Sequence, residues 1–140
     1  MTLADAPLIA NLPAHDIERA MRWYEEKLDL TPIMDLGPGG QLYRTGGSLW
    51  LIYQTRSAGT GKHTLASFVV PDIEAAMRDL RAKGVTFEEY ALGDEGPNTE
   101  NGIARDVTTG AAAAWFIDSE GNVVMLSQVP PGMVVPGVTG

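Results

Sequence analysis

The sequence contains no cysteine, and this absence removes several classes of chemistry. Without thiols the chain cannot carry a disulfide framework, a cysteine nucleophile or a thiolate metal site. No segment approaches the ~20 consecutive apolar residues of a membrane-spanning helix. The first seven residues also lack the basic-then-apolar order of a signal peptide. The sequence therefore predicts a cytoplasmic protein.

Positive charge is scarce as well. Eighteen acidic residues stand against ten basic ones, a formal net charge of −8. Residues 88–140 contain eight of the acids and a single base, Arg105. Nucleic acids and anionic membranes both require a basic surface, so neither is expected as a partner. Two interpretations of the acidic segment stay open: a solvated loop that keeps the protein soluble, or an entrance that attracts cations.

What the chain does contain is a repeat. Asp-Ile-Glu-Arg-Ala-Met-Arg at 16–22 and Asp-Ile-Glu-Ala-Ala-Met-Arg at 72–78 match at six of seven positions, 56 residues apart. Asp16 and Asp72 stand where the N-cap of a helix belongs, and apolar residues at helical spacing follow each of them. With 140 residues and 44% apolar composition, we expect one domain. Its parts are unit 1 at 7–54, a linker at 55–62, unit 2 at 63–128 and a tail at 129–140.

The segments around the helices predict strands, in the order strand–helix–strand–strand–strand in each unit. Their bounds are 8–12, 31–36, 41–45 and 48–54 in unit 1, and 64–70, 86–91, 111–117 and 122–128 in unit 2. Unit 2 also contains a long loop at 92–110 that unit 1 lacks. A loop of this length inside a compact domain is usually functional or disordered.

The tandem arrangement resembles the vicinal oxygen chelate superfamily, which includes glyoxalase I, extradiol dioxygenases and bleomycin-resistance proteins. The resemblance rests on the strand–Asp–helix openings at 8–22 and 64–78, on the Trp23-Tyr24 pair and on the closing hairpin 115–122. It covers about residues 7–128. It implies an α+β fold in which two tandem βαβββ units form a curved, mostly antiparallel sheet around a cavity, and it favours a homodimer. Because the superfamily hosts isomerases, dioxygenases, lyases and binders, function stays open.

In the metal-dependent members, each unit supplies one ligand from its first strand and one from its last. Carried onto this chain, those positions are Ile9, Leu51, Leu65 and Met125, and all four are apolar. A divalent ion takes oxygen or imidazole ligands, which aliphatic carbons and a lone thioether cannot replace. We therefore expect neither a metal nor a cofactor.

Strand alternation then names the residues that share a face with these four positions. Leu12, Ile52 and Leu126 have the opposite parity and should pack under the helices. The predicted ligand-binding residues on the concave face are Asn11, Leu51, Tyr53, Leu65, Ser67, Trp115, Met125 and Ser127. A mostly apolar face with a few hydrogen-bonding groups is typical of a small-molecule pocket. The polar members also have structural explanations, such as satisfying nearby backbone groups, and the sequence does not fix the direction of Trp115.

Candidate acid–base groups are few. His63 is the one group on this face whose ordinary pKa lies near pH 7, and it also suits a solvated strand end beside the linker. Tyr53 is a second candidate. Glu88 and Glu89 are neighbours on a predicted strand, so they point to opposite faces and only one can reach the cavity.

These observations predict a metal-free small-molecule-binding protein, a homodimer with the apolar tail at 129–138 as a contact, that sequesters a planar or cationic compound. The alternative is a glyoxalase-like lyase or isomerase, or a dioxygenase-related enzyme. It would use His63, Tyr53, Glu88 or Glu89, without a metal or with atypical ligands. A third interpretation is a module of a larger assembly with a vestigial pocket.

Overall fold

A computed structural model describes residues 2–138. Unit 1 consists of one helix and four strands: β1 (Ala10–Ala14), α1 (Ile17–Leu28), β2 (Met34–Asp35), β3 (Gln41–Thr45) and β4 (Ser48–Gln54). Unit 2 repeats this order with β5 (Thr64–Val69), α2 (Ile73–Ala82), β6 (Ala104–Arg105), β7 (Ala112–Ile117) and β8 (Val123–Gln128). Within residues 2–138, no helix is long and apolar enough to cross a membrane.

Each unit builds its own four-stranded mixed sheet. The strand order is β1-β4-β3-β2 in the first sheet and β5-β8-β7-β6 in the second. The first and last strands of each unit are parallel neighbours, and the other neighbours are antiparallel. The predicted α+β class with two βαβββ units is confirmed. The sheets are separate, however, and they do not close into a single sheet around a cavity.

Both helices begin in the same way, as the sequence repeat predicts. The Asp16 carboxylate accepts a hydrogen bond from the Arg19 amide at 3.1 Å, and the Asp72 carboxylate accepts one from the Ala75 amide at 3.1 Å. A glutamine at the end of each unit's last strand adds a second cap. The Gln54 side-chain oxygen accepts from the Ile17 amide at 3.4 Å, and that of Gln128 accepts from the Ile73 amide at 2.8 Å. These bonds satisfy amides that a helix start leaves without partners.

Each helix covers one face of its own sheet. The buried cluster of unit 1 comprises Leu12, Ala14, Ala20, Tyr24, Tyr43, Trp50 and Ile52. The buried cluster of unit 2 comprises Ile73, Met77, Val85, Phe87, Ala112, Ala114, Phe116, Val124 and Leu126. Trp23 and Leu28 pack against both clusters, and Phe68 does the same from β5. The two units therefore share one continuous apolar interior.

Polar side chains also join the units. We call Arg19, Tyr24, Asp118, Glu120 and Asn122 the interunit polar cluster. The Tyr24 hydroxyl donates to Asp118 at 2.7 Å, and Arg19 donates to both Glu120 oxygens at 2.9 and 3.0 Å. The Asn122 amide donates to the Pro13 carbonyl at 2.8 Å. Because Asp118, Glu120 and Asn122 are buried, these bonds hold the β7–β8 turn against α1 and β1.

Three strands differ by two residues or more from their predicted extents. The first was predicted at 8–12 and lies at Ala10–Ala14, so Ile9 falls outside it. The predicted strand 31–36 contracts to Met34–Asp35, between Pro32, which has no amide proton to donate, and the Gly-rich turn at 37–40. The predicted strand 86–91 pairs only through isolated bridges, at Phe87 with Phe116 and at Ala91 with Asn98. The backbone of Tyr90 bonds to Thr99 instead, so the segment folds back on itself. Beyond Phe87, the edge position next to β7 is occupied by β6 instead of the predicted strand. β6 lies inside the predicted loop 92–110.

Candidate functional site

The predicted ligand-binding residues lie on the surfaces of the two sheets that point away from the helices. We call these surfaces the outer faces. In the second sheet, Met125 of β8 lies directly between Ser67 of β5 and Trp115 of β7. On the other side of Trp115 lies Glu88, whose amide donates a hydrogen bond to the Trp115 carbonyl at 2.8 Å. Ser67, Met125, Trp115 and Glu88 therefore form a row across the sheet, which we call the second-sheet row.

The first sheet carries an equivalent row at the same places in its register. Asn11 of β1 pairs with Leu51 of β4, Leu51 pairs with Leu42 of β3, and Leu42 pairs with Met34 of β2. We call these residues the first-sheet row. It contains no aromatic and no charged side chain, so the two outer faces are chemically different.

The outer faces are partly exposed, whereas the opposite faces are buried. Leu12, Ile52 and Leu126 are at most 4% exposed under the helices, as strand alternation predicts. On the outer faces, Asn11 and Ser67 are exposed, and Leu51, Trp115 and Met125 are half-buried. Trp50 lies in the core, whereas Trp115 lies on the outer face, a direction that the sequence left open. Its indole donates to the Thr64 hydroxyl at 3.0 Å.

The structure distinguishes Glu88 from Glu89. Phe87 is buried beside Phe116, and the residue that follows a buried one in an extended segment faces the other side. Glu88 therefore lies on the outer face next to Trp115, and Tyr90 lies there too. The Tyr90 and Trp115 rings meet edge to face, with centroids 5.5 Å apart and planes at 83°. Glu89 turns away and accepts a hydrogen bond from Thr99 at 2.7 Å.

The pKa of Tyr90 agrees with the placement of Glu88 on the same face. The pKa of the Tyr90 hydroxyl is raised, first by burial and second by the negative charge of Glu88. Sequence reasoning missed Tyr90 as a site residue. The alternation from a buried Phe87 carries the signal, but the sequence did not show which face Phe87 takes.

The other predicted residues are dispersed. Tyr53 lies opposite Pro13, two positions along β4 from Leu51, and is half-buried. Ser127 lies between Val69 and Ala113, near the end of the second sheet. Leu65 stands at an irregularity in the pairing of β5 with β8 and is 37% exposed.

The acid–base candidates are not paired with one another. His63 is exposed at the residue before β5, whereas Tyr53 belongs to β4 of the other sheet. In residues 2–138, neither His63, Tyr53 nor Glu88 makes a side-chain hydrogen bond to a second titratable group.

The long loop of unit 2 borders two cavities. A cavity of about 560 Å³ lies between residues 96–98, the ends of β7 and β8, and the beginning of the tail. A second, of about 530 Å³, lies between residues 98–107 and Glu74 of α2. Of the eight predicted ligand-binding residues, only Ser127 borders either cavity. The outer-face rows thus lie outside both of these cavities.

The four positions that the family resemblance implies as metal-ligand positions do not suit an ion here. Leu51 and Met125 lie on the outer faces, and Ile9 and Leu65 are apolar as well. In the part of the chain that the structure describes, no group of three or more His, Asp or Glu side chains is placed to hold a metal ion. Three aliphatic side chains and a lone thioether offer a hard divalent ion no oxygen or imidazole donor, so these positions do not fit one.

Comparison with known proteins agrees with this fold. The family model "Glyoxalase/Bleomycin resistance protein/Dioxygenase superfamily" matches residues 8–126. The chain belongs to this superfamily. A sequence search of curated proteins finds no match.

Solved structures of the superfamily fold are similar over most of their length. A glyoxalase/bleomycin resistance protein from Catenulispora acidiphila DSM 44928 is 19% identical, with 89% of this chain and 98% of that chain covered and a TM-score of 0.59. The fosfomycin resistance protein FosX from Listeria monocytogenes is 12% identical, with coverages of 91% and 95% and a TM-score of 0.65. A glyoxalase family protein from Enterococcus faecalis is 16% identical, with coverages of 90% and 99% and a TM-score of 0.66. At these identities the similarity shows the fold alone.

Proposed function

We propose that this superfamily member binds and sequesters a compact, partly planar small molecule on the outer face of its second sheet. The observation that carries the proposal is the second-sheet row. In this row an anchored indole, a thioether and a hydroxyl lie side by side on the sheet face turned away from the helices. Apolar and aromatic surface with a few placed polar groups is what small-molecule sites offer. A rigid aromatic ring loses little entropy when a flat ligand stacks on it.

We propose further that binding takes place without a divalent ion. The four apolar positions support this, because they leave the ion of the metal-dependent relatives without donors. Elemental analysis of the purified protein should find no stoichiometric zinc, nickel, iron or manganese. One bound equivalent per chain that survives dialysis would contradict the proposal.

Nuclear magnetic resonance tests the binding face directly. A set of neutral and cationic aromatic fragments at about 10 mM, suited to millimolar affinities, should shift the Trp115 indole and Met125 methyl signals. The signals of the buried Trp50 indole and Met77 methyl should not move.

The variant Ser67→Arg places a long side chain across the second-sheet row and should abolish the shifts. Ser48→Arg makes the same change at an exposed strand position of unit 1 and should leave them intact. The proposal fails if no fragment moves the Trp115 and Met125 signals.

We also propose that the chain acts as a homodimer. Met133 and Val134 in the tail are 54% and 87% exposed, and Met34 and Ile33 of unit 1 are 55% and 49% exposed. Large apolar side chains left in water favour burial against a second surface. Light scattering at micromolar concentration should give twice the chain mass of 15.0 kDa. A mass of one chain would contradict the dimer.

A further inference from the structure

A carboxylate and two aromatic rings meet on the outer face of the second sheet. Glu88 lies directly beside Trp115, because its amide bonds to the Trp115 carbonyl at 2.8 Å and its neighbour Phe87 bridges to Phe116. The Tyr90 ring stands nearly perpendicular to the indole, at 83° with centroids 5.5 Å apart. The two nearly perpendicular rings form a corner. Glu88 and Tyr90, which are two residues apart in the chain, both lie beside Trp115.

Backbone and side-chain bonds hold this corner in place. The Trp115 indole donates to the Thr64 hydroxyl at 3.0 Å. The Tyr90 amide donates to the Thr99 hydroxyl at 2.8 Å, and the Thr99 amide donates to the Tyr90 carbonyl at 2.8 Å. The rings are therefore positioned before any ligand arrives, which reduces the ordering cost of binding.

The charge of the corner has no counter-ion in the described chain. Among residues 2–138, Glu88 forms no ion pair, whereas the three ion pairs present involve Glu120, Asp29 and Glu74. Residues 84–104 contain five acidic residues and no basic ones. Glu88, a half-buried residue next to an aromatic pair, is therefore left to attract a positive charge from solution.

We propose that Glu88, Tyr90 and Trp115 recognise an organic cation, an amine or quaternary ammonium group attached to an apolar body. This inference rests on the proposed function and names the chemical class of its ligand. The rings attract the cation through their electron-rich faces, and the carboxylate neutralises it. The apolar body lies along Met125. Inorganic cations gain little from such a site, because they stay hydrated and bring no apolar surface to the rings.

The chain supplies its own comparison. In the first-sheet row, Leu42 occupies the position equivalent to Trp115, and Met34 occupies the position equivalent to Glu88. That row offers apolar contact without rings or charge. The proposed cation recognition therefore depends on side chains of the second sheet that the first-sheet row lacks, and it does not follow from the fold.

Benzyltrimethylammonium is a suitable probe, and benzyl alcohol is a neutral aromatic reference. The cation should shift the Trp115 indole signal at concentrations at least about tenfold lower than the alcohol, and high salt should weaken it. Glu88→Gln should weaken cation binding about tenfold and leave alcohol binding unchanged. Glu89→Gln removes the same charge from the neighbouring residue that faces away, and it should change cation binding less than about twofold. Circular dichroism of both variants verifies their folding.

The outcomes separate the two proposals. If the alcohol and the cation shift Trp115 at equal concentrations, and Glu88→Gln changes neither, the face binds small molecules but cation recognition is wrong. Equal weakening by Glu88→Gln and Glu89→Gln would likewise overturn it, since the effect would then reflect net charge. If neither probe moves the Trp115 or Met125 signal, the binding face itself is wrong.

Discussion

At the scale of single residues, two tyrosines in the core of unit 1 differ by one hydrogen bond. Tyr24 and Tyr43 are at most 1% exposed, and their rings lie 6.3 Å apart. The Tyr24 hydroxyl donates to Asp118, whereas the Tyr43 hydroxyl has no partner in residues 2–138. Burial raises the pKa of both hydroxyls, that of Tyr43 to about 12, with the negative charge of Asp118 or Glu25 adding to the shift.

This pair predicts opposite results from the same substitution. Tyr24→Phe removes a donor from buried Asp118 and should lower the free energy of unfolding by about 1–3 kcal/mol. Tyr43→Phe removes a hydroxyl that was buried without a partner, so it should be neutral or stabilising. Urea denaturation of the two variants makes the comparison. Equal destabilisation would contradict the assigned bond.

Glu120 is the most strongly perturbed acid in the interunit polar cluster. Burial opposes its ionisation, but hydrogen bonds from Arg19, the Asp16 amide and Ser119, together with the charge of Arg19, lower its pKa from 4.5 to about 2. Its side chain is completely buried. A carboxylate whose pKa is lower in the folded state stabilises that state when it is ionised.

The sign of the pH dependence follows from that shift. The contribution of Glu120 is fully present above pH 4.5 and is lost as the pH falls towards about 2. Glu120→Gln should cost about 2–3 kcal/mol at pH 7, because an amide presents hydrogens to groups that donate. The difference in free energy of unfolding between this variant and the unmodified protein should become smaller as the pH falls from 4.5 to 2. Glu18→Gln, on the exposed side of α1, should show neither effect, and a gap independent of pH would refute the assignment.

At the scale of elements, the sequence predicted both helices and most strands within a few residues. Helix starts are local events, since a capping aspartate and apolar residues at helical spacing act within one turn. The strand at 86–91 was predicted less well. Its pairing depends on Thr99, which lies nine residues beyond Tyr90 and competes for its backbone. Distant partners of this kind leave no periodic signal in the sequence.

The turn before β3 gives a test at this scale. Gly37 and Gly40 both have positive φ, at 65° and 104°. A side chain at position 40 would overlap the Ile52 carbonyl oxygen, whereas one at position 37 meets nothing within 4 Å. Gly37→Ala should therefore cost about 1 kcal/mol, from backbone strain alone, and Gly40→Ala more than about 3 kcal/mol. Thermal denaturation distinguishes the two. Similar losses would mean that β4 does not approach Gly40 so closely.

At the scale of the whole molecule, the two units should unfold together. Trp23 stacks on Phe116 of the other unit at 6.1 Å, and the interunit polar cluster links α1 to the β7–β8 turn. Elements that share a core and buried hydrogen bonds lose their stability in one step.

A single unfolding transition is the expected result. In the variant Trp115→Phe, tryptophan fluorescence reports only on Trp23 and Trp50 of α1 and β4. Its urea midpoint should coincide with that of far-ultraviolet circular dichroism, which reports on both units. Separate midpoints would show that the units are independent folding blocks.

The sequence by itself determined the repeat, the capped helices and the buried faces of β1, β4 and β8. Each of these depends on neighbours within a few residues or on strand alternation. The tertiary structure alone decided that Glu88, Tyr90 and Trp115 meet on one face, and that the two sheets stay separate. Those outcomes depend on the register between segments far apart in the chain, and register is set by packing and by backbone bonds that close only when the chain folds.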